Sequence, residues 1–160
     1  MGKPTSFNSY ALLSFSLECR ASSVLQKNTK VNGPKNALDY ENTSSCWNSE
    51  GSSSSGKPQS STFIFEFRKA IEPCELRIQF QAGFAAEQIN VHLHHTTDKW
   101  KPIVELEADD DHPMQSFSLI EDAENSGPTK ALKLVFEEPT DFYGRITIYQ
   151  LQVWGHEVED

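Results

Sequence analysis

The sequence predicts an all-β fold, an antiparallel jelly-roll β-sandwich of about eight strands. Three observations predict it. From Phe63 onward apolar residues recur at every second position, the period of strands with one face buried. Clusters of Gly, Pro, Asn and Asp interrupt these runs at short intervals, and no segment after residue 60 carries the helical repeat of about 3.6.

Each strand can be justified in order. In FIFEF, Phe63, Phe65 and Phe67 share a face; in CELRIQF, Leu76, Ile78 and Phe80 do so while Glu75, Arg77 and Gln79 face outward. INVHLHH aligns Ile89, Val91 and Leu93, IVELEA aligns Val104, Leu106 and Ala108, and SFSLI aligns Phe117 and Leu119. ALKLVFEE contributes Leu132, Leu134 and Phe136. In the last run, RITIYQLQVWG, Ile146 and Ile148 are out of phase with Leu151 and Val153, so a bulge near Tyr149 and Gln150 is needed to bury both pairs. Turns are expected at Glu72-Pro73, AGFA, DKWKP, DDDHP, NSGP and EPTD.

A chain of 160 residues is the size of one ordinary domain. With 14 Lys and Arg against 23 Asp and Glu, the formal charge of -9 argues against direct nucleic-acid binding, which depends on cations neutralising phosphates. The cations Arg20, Lys27, Lys30 and Lys35 gather early, and the acids gather later. Three cysteines, Cys19, Cys46 and Cys74, form no CxxC and cannot all pair, which fits reduced thiols and a cytoplasmic or nuclear placement. No apolar run is long enough to cross a bilayer, and the start lacks a secretion signal. MGKPTS matches the outline of a myristoylation site at Gly2.

One stretch resists the pattern: ENTSSCWNSEGSSSSGK has the composition of a linker, yet holds Trp47. Taken in order, NALDYENTSSCWNSEG, FQAGF and TDFYGRITIYQLQVWG resemble discoidin-like domains, also called coagulation factor V/VIII C-type or galactose-binding-like domains. The resemblance implies that Trp47 plugs one end of the sandwich and that Asp39 is a structural turn residue. SSVLQKNTK, CWNSEG, IQFQAGF and TDFYGRITIYQLQVWG, spanning about residues 20 to 156, further resemble small intracellular proteins described as orphan nuclear receptor-associated repressors. The expected organisation is a flexible tail over 1–17, a discoidin-like domain over 18–156 with a Ser/Gly-rich insertion at 51–61, and an acidic tail over 157–160.

The resemblance also nominates a calcium site at Asn36, Asp39 and Thr43. It is disfavoured because the final strand carries Gln150 and Gln152 where acids would complete an oxygen cage, and no cofactor is expected. The insertion has no apolar tip to enter a membrane. His92 and His94 alternate on one outward face, but without a third ligand they are expected to be a solvated polar surface. No nucleophile elbow, phosphate loop or metal motif is present, so a non-enzyme is expected. The resemblance implies an intracellular protein partner, with a nuclear receptor as the candidate. The alternatives are a carbohydrate-binding module, for which Phe84 and Trp100 are candidate platforms, and an adaptor subunit in a larger assembly such as a ciliary complex. The expected partner surface is TDFYGR with the neighbouring QAGFA loop: Phe84, Asp141, Phe142, Tyr143 and Arg145.

Overall fold

A computed structural model describes residues 11–13, 17–51, 60–94, 99–119 and 128–158. Gly2 and most of the Ser/Gly-rich insertion lie outside the described residues. Nine strands follow one another: β1 (Ala11–Leu12), β2 (Leu17–Ala21), β3 (Trp47–Asn48), β4 (Ser61–Phe80), β5 (Ala86–His94), β6 (Trp100–Glu107), β7 (Gln115–Ser118), β8 (Thr129–Pro139) and β9 (Thr147–Glu157). A short helix α1 (Thr29–Asn32) and two single-turn helices lie between β2 and β3. All pairings are antiparallel.

The long strand β4 belongs to two layers. Its first half pairs β8 from Ser61 to Glu66 and β2 from Phe63 to Phe67. Its second half pairs β9 from Ile71 to Phe80 and β7 from Glu75 to Ile78. One layer is therefore β2-β4-β8-β5-β6, and the other is β7-β4-β9 with β1 and β3 on the far side of β9. The change-over is a wide irregularity: Glu66 faces Ala131 and Ile71 faces Thr129, so Phe67 to Ala70 oppose Lys130 alone.

Two strands with a turn at Glu72-Pro73 were expected; the structure has one strand running through. Pro73 faces Gly155 and Glu75 faces Trp154, which leaves Cys74 as an extra residue. A bulge tolerates proline because the missing N–H costs no ladder bond there. Gly155 completes the arrangement, since a Cβ there would lie 2.1 Å from the Glu72 carbonyl oxygen. A second bulge falls at Tyr149, between the Gln79–Gln150 and Phe80–Ile148 pairs, and it buries Ile146, Ile148, Leu151 and Val153 together. The ends also differ from expectation. β1 lies within the segment assigned to a tail, pairing Ala11 with Gly155, and β9 runs on to Glu157.

Cross-layer packing centres on aromatic rings. Trp47 is fully buried, edge-on to Phe63 of the first layer at 5.4 Å and 6.0 Å from Phe136. Phe80 of the second layer meets the same Phe136 at 6.3 Å. The indole Nε1 donates to the Ser23 carbonyl at 2.9 Å, so the one polar atom of the ring is satisfied. The irregular segment before Trp47 is held by side chains bonded to backbone: Asn28 caps Val31, Asn36 Nδ2 donates to the carbonyls of Lys30 and Val31, and the Tyr40 hydroxyl reaches the Leu151 carbonyl at 2.7 Å.

Trp47→Ala should lower unfolding free energy by about 3–5 kcal/mol, the cost of truncating a large buried aromatic. Denaturant titration measures it; an unchanged midpoint would mean the ring carries no packing load.

Candidate functional site

Four loops meet at the end of the sandwich where β4 and β8 finish and β9 begins. Ala85 N–H donates to Thr140 Oγ1 at 3.0 Å and Thr140 N–H to the Ala85 carbonyl at 2.9 Å. Thr147 N–H donates to the Phe84 carbonyl at 3.0 Å, and Gly83 N–H donates to Asp110 Oδ1 at 2.8 Å. The buried Ser49 adds the fourth loop, its Oγ accepting from Ile146 N–H at 2.8 Å. Backbone bonds of this kind make the loop end an extension of the scaffold.

Within it, Asp141 organises the turn. Its Oδ2 accepts the N–H groups of Tyr143 at 3.2 Å and Arg145 at 3.0 Å, while its carbonyl accepts Gly144 N–H at 2.9 Å. Gly144 sits at φ +82°, a conformation that side chains other than Gly adopt only with strain. The turn lifts Phe142 and Tyr143 out of the surface, 84% and 57% exposed, with their rings edge-to-face at 5.0 Å. Arg145 lays its guanidinium over the Phe84 ring at 5.0 Å, and its Nε is 4.0 Å from Asp141 Oδ2. The five residues nominated from sequence thus stand together on one face. Asp110 and Ser49 support this face and had no local sequence signal, being brought in by strands far along the chain.

The nominated calcium residues are engaged otherwise. Asn36 spends its amide on the carbonyls of Lys30 and Val31, and the Asp39 carboxylate accepts Glu41 N–H at 3.3 Å. The Asp39 carbonyl, an oxygen of the type calcium would use, accepts Gln150 Nε2 at 3.3 Å, placing a donor where a cation would need an acceptor. Thr43 is exposed in the same turn. Among the described residues no cluster of three His, Cys, Asp or Glu side chains could hold a metal.

His92 and His94 lie on the outer side of the first layer with Lys133 and Trp100. His94 packs edge-on to Trp100 at 5.3 Å, and Lys133 Nζ lies over the same indole at 5.1 Å. Trp100 is therefore a strand residue within this cluster, away from the loop end. His92 faces Lys133 across β5 and β8, and its Nδ1 is buried without a hydrogen-bond partner. Burial, and secondarily the Lys133 charge, push its pKa below the ordinary value. None of the three cysteines is in a disulfide. Burial raises the Cys19 thiol to about 11, with a smaller opposing effect of Lys35 and a small further rise from Glu18, and burial likewise raises Cys46. Neither is an activated nucleophile.

No protein-family model matches the chain. Among solved structures, the F5/8 type C domain of a Bacteroides fragilis protein superposes with TM-score 0.73 at 11% identity, covering 93% of this chain and 98% of that one. A family 32 carbohydrate-binding module of Clostridium perfringens NanJ, solved with galactose, superposes with TM-score 0.72 at 12% identity over 91% of this chain and 98% of that one. The fold is therefore the discoidin-like, galactose-binding-like jelly roll. Sequence relatives narrow this. The chain is 34% identical over 139 residues to the human nuclear receptor 2C2-associated protein, covering 87% of this chain and 91% of the relative. It is 33% identical over 145 residues to the Danio rerio protein of that name, covering 91% and 95%. The chain belongs to the nuclear receptor 2C2-associated protein family.

The depressed His92 pKa has a signed consequence. Once the pH falls below about 6.5, the unfolded chain takes up a proton that native His92 resists, so stability falls there. His92→Gln should flatten that acid-side decline in denaturation midpoints between neutral and mildly acidic pH; an identical decline assigns it to other groups. Alkylation at pH about 8 should modify native Cys19 slowly and all three thiols after denaturation, as mass spectrometry would show.

Proposed function

We propose that this protein is a non-enzymatic interaction module that associates with a nuclear receptor, the association stated in the name of its relatives. The module runs from β1 at Ala11 to the end of β9 at Glu157, and it works in the nucleus or cytoplasm, where such a receptor is found. The contact face is Phe84, Asp141, Phe142, Tyr143 and Arg145. One observation carries this assignment: two adjacent aromatic rings stand in solvent on a turn whose backbone N–H groups are held by its own Asp141 carboxylate. Exposed rings are a cost to a solitary protein, and aromatic and Arg side chains on a preorganised turn are the groups that dominate interface energies.

The family relatives are named for association, and the structural neighbours include binding modules. Both support a binding role over a catalytic one. At identities of 11 and 12% the neighbours speak for fold alone, and sugar binding is kept as the second reading because the same exposed rings lie beside Arg145 and Asp141.

Immobilised nuclear receptor 2C2 should capture the wild-type protein, and Tyr143→Ala and Arg145→Ala should each weaken capture by about 1–3 kcal/mol with melting curves nearly unchanged. Wild-type affinity in both variants would place the contact elsewhere. A glycan array run in parallel decides the second reading: a galactose-type glycan bound by wild type and lost in Tyr143→Ala would replace the receptor proposal.

A further inference from the structure

At the other ends of β8 and β9, where β4 passes between layers, the structure opens a cleft of about 450 Å³. Its origin is the wide irregularity in β4. Phe67 to Ala70 oppose Lys130 alone, so the two layers part before β9 takes up the pairing at Ile71. Leu13, Phe67 and Ile71, all buried, are among the apolar groups that line it. Arg68 and Lys69 also line it and are exposed, and neither makes an ion pair among the described residues. His156 and Glu157 of β9 complete the polar side.

The charge balance selects a ligand. Arg68 and Lys69 against Glu157, the one acid among the described lining residues, leave one cation in excess (two against one), in a chain whose formal charge is -9. Two cations on one cleft, neither in an ion pair among the described residues, repel each other and are relieved by an anion. A guanidinium presents a fork that matches a carboxylate. The volume lies in the range of small-molecule sites, and the floor is apolar. We propose that this cleft binds a small amphipathic monocarboxylate, its head on Arg68 and Lys69 and its apolar body on Leu13, Phe67 and Ile71. The inference does not rest on the receptor-binding proposal, whose residues lie at the opposite end.

Octanoate, well below its micelle concentration, is the probe, and amide NMR of the isotope-labelled full chain is the readout. Titration to about 2 mM should give saturable shifts centred on Leu12, Phe67, Lys69, Ile71 and Gly155, and 1-octanol should bind at least about tenfold more weakly. The double variant Arg68→Glu/Lys69→Glu alters only exposed side chains; with its melting temperature retained, it should lose octanoate binding by at least about tenfold. Four results would each overturn the proposal: no saturable shift in that range, equal affinity for the alcohol, shifts centred on the Phe84 and Tyr143 loops, or unchanged binding in the charge-reversed variant.

Discussion

A single strand holds the two layers together. At roughly 3.3 Å per residue, a straight strand the length of β4 would span about 65 Å, well beyond a domain whose radius of gyration is about 15 Å. It must bend, and the bend is placed where the ladder to β8 gives out at Glu66 and the ladder to β9 begins at Ile71. From that constraint the rest follows. Phe63 and Phe65 look into the core from one side, Leu76, Ile78 and Phe80 from the other, and Trp47 and Phe136 fill the space between. The Cys74 bulge and the side-chain-free Gly155 let β9 follow the bent strand closely.

The period of two named the inward residues of most strands, because alternation is a property of a few consecutive residues and survives without tertiary knowledge. What depended on a distant partner was less visible. Glu72-Pro73 carries the same local signal whether it ends a strand or enters a bulge, and only pairing with Gly155 decides between the two. Ala11 and Leu12 make a strand too short to show any period, ordered by β9 alone. At the loop end, the exposed pair Phe142 and Tyr143 was legible as aromatics in a turn. The stacking of Arg145 on Phe84 joins residues 61 positions apart, and nothing local announces it.

The two ends of the sandwich are chemically unlike. At the loop end, Asp141 is already engaged by two N–H groups, with Arg145 alongside, so that end presents rings and a shielded cation. At the crossing end, Arg68 and Lys69 make no ion pair among the described residues and lie beside an apolar floor. In the turn before Trp47, the Asp39 carbonyl accepts an amide donor from Gln150 of the final strand, which ties that turn to β9.

The shared strand also sets a timetable for synthesis. Every residue of β4 emerges before β8 and β9, and those two strands supply its ladder partners other than β2 and β7. A growing chain therefore carries Phe63 and Phe65 with one ladder edge open until β8 is made, and Leu76, Ile78 and Phe80 with one open until β9 has left the ribosome. Such non-local pairing folds slowly, and an unpaired apolar strand is the form in which chains meet each other instead of themselves. The open edges of β4 thus stay available for association between chains through the second half of translation, whatever the final stability of the sandwich.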